Sequence, residues 1–437
     1  MTTITESINQ PLALTGGPKA VTRDPQDILD WPIVTPEDEQ AVLDVLRAGS
    51  MSGTDVTRRF EAEFAAWEGT AFALAHCNGT AAIQAAMWAA GVRRGDEVIC
   101  PSMTYWASGL PALTLGATVV WADIQRDTLC LDPASAAERV TGRTKAIVVV
   151  HYAGYPADMD PIMALAEARG IKVIEDVSHA HGGLYHGRKL GTIGHVGAMS
   201  IMSGKALPAG EGGLLVTDDR QIYERAILWG HYARHGDLTI PELLAMSGLG
   251  RPQAASGVPI GGVKGRINQL ASAMGRVQLK HYDRRNAEIC KAMNYFWDQL
   301  DGTPGVRAHR PPRDSGSAMG GWYTARGLYV AEELGGLPLA RFCEALTAEG
   351  CPAGPGANMP LHLQAFNEVD IYGDGQATVL ANATRDVRAP AGSLPVSEAI
   401  NDFCFGVPWF KRYRPEIIDE YVAAIKKVAA HADALKA

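Results

Sequence analysis

Glu175-Asp176-Val177-Ser178-His179-Ala180-His181-Gly182-Gly183, then Ser200-Ile201-Met202-Ser203-Gly204-Lys205, then Gly210-Glu211-Gly212-Gly213: these three runs decide how the chain is read. Val173-Ile174 ends one run of β-branched and apolar residues, and Ala198-Met199-Ser200-Ile201-Met202 forms another. Each reads as a buried strand. Asp176 and Lys205 should therefore emerge at strand ends, the edge at which open α/β sheets hold ligands.

An acid and a lysine placed there have a definite chemical use. A lysine amine can hold an aldehyde cofactor as a Schiff base, and a carboxylate beside a pyridine nitrogen keeps that nitrogen protonated. Pyridoxal 5'-phosphate (PLP) needs both. Solvated loop charges leave the same two residues in the sequence, and the pair alone does not separate the readings. His179, His181 and His186 form a loose cluster without cysteine or HExxH spacing, so no metal is expected. Gly204-Lys205 is not a phosphate-binding P-loop either. Six residues instead of four separate Gly197 from Gly204, and Ala206 stands where Ser or Thr is required.

Outward from this stretch, strands are expected near 72–76, 97–100, 118–123, 146–151, 172–175, 197–202 and 213–217, with helices such as 81–90, 135–140 and 162–169 between them. Alternation of near-continuous apolar strands with helices predicts a mostly parallel, doubly wound α/β domain covered on both faces. Cys77-Asn78-Gly79-Thr80-Ala81-Ala82 falls at a strand-to-helix junction. Gly79 lets the backbone come close, Thr80 offers a hydroxyl, and the free N–H groups of the helix start attract a phosphate. A plain N-cap explains the same letters. Tyr105 and Trp106 follow the next strand and either face a cofactor ring or pack the interior.

Residues 1–35 read as an N-terminal arm broken by Gly16-Gly17-Pro18 and Pro32. Thr35-Pro36-Glu37-Asp38 then opens a helix that Gly49 closes, and a second helix follows over 56–67. The large α/β domain is expected over 36–275 and a smaller α+β C-terminal domain over 276–437. A long helix over 276–300 opens the smaller domain. A strand at 328–330, a helix at 338–349, the segment 402–407 and a final helix at 415–434 complete it. Between the domains lies a Gly/Pro-containing connection, 238–263, with a short helix at 241–247; its length suits a loop that covers substrate. Tyr232, Arg234 and His235 precede it.

Composition sets the outer limits. The chain has 437 residues, 47% hydrophobic and 20% charged, with a net charge of −8, which suits a soluble protein of two or three domains and disfavours nucleic-acid partners. Seven cysteines without a CxxC pair fit reduced thiols in a cytosol. Met1 to Gln10 shows no signal-peptide pattern, and no apolar run of about 18 residues spans a membrane, so a cytoplasmic location is expected.

Taken together, Asn78-Gly79-Thr80-Ala81-Ala82, Gly95-Asp96-Glu97-Val98-Ile99, Thr104-Tyr105-Trp106-Ala107-Ser108 and the three opening runs resemble, in order and spacing, the DegT/DnrJ/StrS family of PLP-dependent sugar aminotransferases. The likeness extends from about residue 12 to the carboxyl terminus. It implies a fold type I enzyme, a homodimer with shared active sites, glutamine or glutamate as amino donor and a keto-sugar or keto-cyclitol as acceptor. Carried over residue by residue, it makes Lys205 the Schiff-base lysine and proton carrier, Asp176 the partner of the pyridine nitrogen, and His179 the neighbour of the phenolic oxygen. Tyr105 would stack on the ring, while Asn78, Gly79, Thr80 and Ser200 would hold the phosphate.

Two departures bear on the substrate. Lys264 stands where the family has an asparagine that reaches the neighbouring subunit's phosphate, and it serves there as a point charge or is simply a loop lysine. Arg266 matches the family's arginine, and with Tyr232 and His362 it is a candidate for substrate binding. Met202 replaces the family's histidine two residues after Ser200, which looks closer to the branch that aminates keto-inositols such as scyllo-inosose. Lysine at 205 disfavours the dehydratase branch, where a histidine stands. A PLP-dependent epimerase or lyase, or a non-catalytic PLP-binding regulator, would keep the same pair.

Overall fold

Short strands that are apolar along almost their whole length pair side by side to build the centre of the molecule. The computed structural model describes residues 4–248 and 258–436; part of the 238–263 connection, residues 249–257, thus lies outside the described residues. Seven strands form the main sheet: β1 Phe72–His76, β2 Glu97–Pro101, β3 Thr118–Ala122, β4 Thr144–Val150, β5 Lys172–Asp176, β6 Val196–Ser200 and β7 Gly213–Thr217. Their order across the sheet is β1-β7-β6-β5-β4-β2-β3. Pairing is parallel from β3 through to β6, and β7 alone runs against both its neighbours. Each expected strand exists, with ends displaced by at most two residues. The expected strand over 197–202 stops at Ser200, because Ile201 N–H turns to Gly212 O and the chain leaves the sheet.

Helices cover both faces. α1 (Pro36–Arg47) starts as its letters predict: Thr35 and Asp38 cap each other reciprocally and Pro36 takes the first helical position. α2 (Asp55–Glu68) follows, and α3 (Gly79–Ala89) begins two residues earlier than its apolar pattern suggests, capped by Asn78. α4 (Arg220–Gly230) packs against α3 and leads to the short helix Pro241–Ser247. No helix among the described residues is long and apolar enough to cross a membrane.

The link between the two halves differs most from expectation. α5 runs unbroken over Gln269–Gln299, capped by Asn268 Oδ1, which accepts from Ala271 N–H at 3.0 Å. Position 275 falls inside it. Its first half packs on α1 and α2, while Ile289, Met293, Phe296 and Trp297 enter a second apolar core. That core holds a three-stranded sheet, β8 (Val306–Ala308), β9 (Arg326–Tyr329) and β10 (Cys404–Gly406), with α6 (Leu339–Ala348) and α7 (Pro415–Ala430) against it. Leu361, Leu394, Ile400 and Phe403, late in the chain, pack instead into the core of the large sheet.

The arm is tied down. Leu12, Ala20, Val21 and Ile28 are buried in the second core. The Glu349 carboxylate, at the end of α6, accepts from Ala13 N–H at 2.7 Å and Ala20 N–H at 2.9 Å. Lys427 on α7 meets that carboxylate at 2.9 Å and also donates to Pro18 O at 2.7 Å, and both charged side chains are fully buried. Removing one member of such a pair strands the other charge in the interior. Lys427→Met should therefore lower the unfolding free energy by about 3–5 kcal/mol, read by urea denaturation, and should make the first thirty or so residues cleavable in limited proteolysis.

Candidate active site

Because successive side chains of a strand point to opposite faces, Glu175 and Asp176 serve different ends. Glu175 is buried against His151 Nε2 at 2.9 Å and accepts from the N–H groups of Gly191, Ile193 and Gly194 at 2.8, 2.7 and 2.6 Å, so it pins the loop before β6. Asp176, the last residue of β5, faces the other way into a cavity of ≈ 400 Å³ at the carboxyl ends of the parallel strands. Its Oδ2 accepts from Ser108 Oγ at 2.7 Å, its Oδ1 accepts from Ser178 N–H at 3.0 Å, and Ser108 is in turn 3.1 Å from Thr104 Oγ1. The carboxylate is thus fixed in one orientation.

Lys205 closes the same cavity from the turn beyond β6. Its N–H donates to Met202 O at 2.8 Å, and its carbonyl accepts from the indole N–H of Trp31, in the arm, at 2.8 Å. The side chain is 8% exposed. Burial pulls its amine down to about 8, against the opposing pull of the Asp176 charge. At pH 7 about a tenth of the amine is therefore neutral, against well under a hundredth for an ordinary surface lysine. Lys205 is the one lysine or arginine among the described residues that line the cavity.

His179 is buried, and its loss of water, with the nearby charges of Lys205 and Arg326, drives its pKa well below the ordinary value. It stands neutral, with Nδ1 accepting from Ala153 N–H at 3.3 Å and its ring between Tyr152 and Tyr323 at 5.2 and 4.8 Å.

An anion seat lies opposite. Asn78 Oδ1 accepts from Ala81 N–H at 2.8 Å, which orders the first turn of α3 and leaves the N–H groups of Gly79 and Thr80 at the helix start. A Cβ on Gly79 would lie 2.6 Å from Ser200 Cβ, so only glycine lets the helix start approach the end of β6 this closely. Ser178 Oγ accepts from Ser200 N–H at 2.9 Å, and Thr80, Ser178 and Ser200 all line the cavity. Tyr105, 51% exposed, stands at its mouth beside Trp106 with ring centroids 5.1 Å apart.

One cavity thus gathers Lys205, Asp176, His179, Asn78, Gly79, Thr80, Tyr105 and Ser200. It does not gather Lys264, Arg266, Tyr232 or His362. Lys264 lies in a neighbouring hollow that shares the Asn78 and Thr80 wall, and Arg266 sits 5.3 Å from the Tyr232 ring. His362 is buried with both nitrogens engaged, Nδ1 at 2.7 Å from Ser102 Oγ and Nε2 at 3.0 Å from Glu398, so it braces a loop and is not presented to a ligand. The three histidines also part. His181 is buried outside the lining, its burial and the Lys205 charge taking it to about 3, while His186 is exposed and 3.8 Å from Asp160.

Sequence reading passed over Ser108 and Ser178, both inside the quoted motifs, whose hydroxyls orient Asp176 and Ser200. It also missed Tyr323, Thr324 and Asn358, which enter the lining from the distant second half of the chain and carry no local signal.

Comparison with known proteins agrees with this geometry. Residues 32–425 match the DegT/DnrJ/EryC1/StrS aminotransferase family. An L-glutamine:2-deoxy-scyllo-inosose aminotransferase of Streptoalloteichus tenebrarius is 33% identical over 370 residues, covering 80% of this chain and 82% of that protein. An L-glutamine:scyllo-inosose aminotransferase of Streptomyces griseus is 32% identical over 350 residues, 78% and 80% of the two chains. Among solved structures, an aminotransferase from Psychrobacter cryohalolentis superposes with a TM-score of 0.78 at 28% identity over 92% of this chain and 99% of that one. A 3-amino-5-hydroxybenzoic acid synthase does so with a TM-score of 0.74 at 28% identity over 93% and 98%. The chain belongs to the DegT/DnrJ/EryC1/StrS aminotransferase family.

Proposed function

We propose that this chain is a PLP-dependent transaminase that takes the amino group of L-glutamine and places it on a keto-inositol. The observation that supports this best is the convergence of a partly neutral buried lysine, a fixed carboxylate and a glycine-built anion seat in one cavity. The donor set suits the cofactor's chemistry: a primary amine for its aldehyde, Asp176 for its ring nitrogen, and helix N–H groups with three hydroxyls for its phosphate. The two cyclitol aminotransferases, each about a third identical over about four-fifths of both chains, support the substrate class. Met202 agrees with it.

Lys205 would hold the cofactor covalently when at rest and carry a proton when displaced, and Asp176, oriented by Ser108 and Ser178, would keep the ring nitrogen charged. Gly79, Thr80, Ser178 and Ser200 would seat the phosphate, and Tyr105 would cover the ring from the mouth. His179, neutral, offers a hydrogen bond without a competing charge. When bound, the group supplies an electron sink for release of the proton beside the nitrogen. Donor and acceptor then alternate at one site, so the kinetics are ping-pong.

The reading extends to a homodimer. Among the described residues that line the cavity Lys205 is the one lysine or arginine, and Lys264 and Arg266, outside it, would serve a neighbouring copy. All seven cysteines are free thiols, in keeping with a reducing cytoplasm.

Reconstituted with PLP, the protein should show a visible absorption band that is absent from Lys205→Ala. L-glutamine should bleach the band, and scyllo-inosose, unlike a nucleotide-linked keto-sugar, should restore it. Restoration by the nucleotide-linked sugar alone would replace the proposed acceptor. In the cofactor-free chain, carbamylation of Lys205 by cyanate, followed by peptide mass, should titrate with a midpoint of about 8. The Asp176 charge raises that midpoint, so Asp176→Asn should move it lower, and the same variant should cut kcat by roughly a hundredfold or more.

A further inference from the structure

The residues around Tyr323 are held in unusual backbone. A Cβ on Gly320 would lie 2.1 Å from Ala180 O, between the two motif histidines, and one on Gly321 would lie 2.2 Å from the Cβ of Ala206, next to Lys205. The loop is therefore pressed against both halves of the active edge. On either side of Tyr323, Trp322 has φ 56° and Thr324 has φ 52°, left-handed values that are disfavoured for tryptophan and most of all for β-branched threonine. Strain of this kind persists where surrounding structure imposes it, and it clusters at functional sites.

What the loop presents is a ring face. Lys205 Nζ lies 4.1 Å from the Tyr323 ring centroid. Trp409 packs perpendicular to that ring with centroids 6.0 Å apart, and Trp409 in turn lies 5.4 Å from Trp31, whose indole N–H donates to the Lys205 carbonyl at 2.8 Å. Two linked contacts from outside the large sheet thus grip one lysine, at its main chain and at its amine.

We propose that Tyr323 is a catalytic residue whose ring face receives the Lys205 amine whenever that amine is free and protonated, keeping it aimed into the cavity between proton transfers. The inference rests on the reading of Lys205 as the reactive amine. A cation over an aromatic face is stabilised, whereas burial favours the neutral amine. Their opposition leaves the amine able both to take and to give a proton near neutral pH. The other titratable groups around this pair are Asp176 from β5, which also favours the cation, His179 and His181 from the next loop, both driven neutral, and Tyr105 and Arg326 beside Tyr323. The Glu211 carboxylate lines the same cavity, and Tyr323 is the ring that lies over Lys205 Nζ.

The test is the cyanate titration of Lys205 in the full cofactor-free chain, with kcat and KM of the PLP-loaded enzyme beside it. Tyr323→Leu, which removes the face, should lower the midpoint by roughly half a unit to one unit and reduce kcat about tenfold, with KM for L-glutamine changed less than about twofold. Tyr323→Phe keeps the face and should hold the midpoint within about 0.2 unit of native. A folded Tyr323→Leu with the native midpoint would overturn the proposal, as would a Phe variant that shifts as far as Leu. Should Tyr323→Leu not fold, Tyr323→Met reads the same quantity. Failure of the underlying reading is distinct, since the visible band would then survive in Lys205→Ala whatever the midpoints.

Discussion

Parallel pairing is the constraint on which the site depends. It brings the last residue of β5, Asp176, level with Ala198 on β6, so that Asp176 and Ser200 leave the sheet at the same edge. A crossover connection returns each parallel strand to start at the far edge, which leaves the near edge free for loops. The one antiparallel strand, β7, follows Lys205 through the Gly210–Gly213 turn and feeds straight back between β6 and β1. Lys205 is therefore carried on a short excursion between two hydrogen-bonded neighbours. That geometry places a buried amine and one carboxylate in the same cavity without relying on a long loop.

Close approach supplies the second requirement. Gly79 sits against Ser200 and Gly213 against the Asn78 carbonyl, where a Cβ would lie 2.4 Å from that oxygen. Side chains at those positions would push α3 away from β6 and open the anion seat. The same economy of space recurs at Gly320 and Gly321, where the second half of the molecule reaches the edge. The cavity is bounded by backbone on both sides, and its chemistry is confined to the few side chains that project into it.

Much of this was legible from local pattern. Runs such as Val148-Val149-Val150 and Val173-Ile174 read directly as buried strands because parallel strands need apolar residues on both faces. Asp176 could be placed because it ends a strand, and Gly79 and Lys205 because they follow the ends of β1 and β6 by only a few residues. Three features stayed hidden. Position 275 looked like a boundary, but Asn268 caps a helix that bridges both cores, and helix periodicity does not register which core each turn faces. His362 was expected to bind substrate, whereas Ser102 and Glu398, far away in sequence, occupy its two nitrogens. Tyr323 has no periodic or cap signal at all, since its place follows from tertiary contact alone.

The tie between the arm and the last helix also orders how the molecule is made. Ala13, Pro18 and Ala20 precede the groups that hold them, Glu349 and Lys427, by 329 to 409 residues. Glu349 can engage the arm once α6 exists, and Lys427 on α7 then meets that carboxylate. The large sheet pairs strands that are mostly near in sequence, whereas the tie between the arm and α7 closes almost the whole chain. A chain that lacks Lys427 would hold the arm against an unpaired buried carboxylate, so the seating of the arm behind Lys205 is coupled to the arrival of α7.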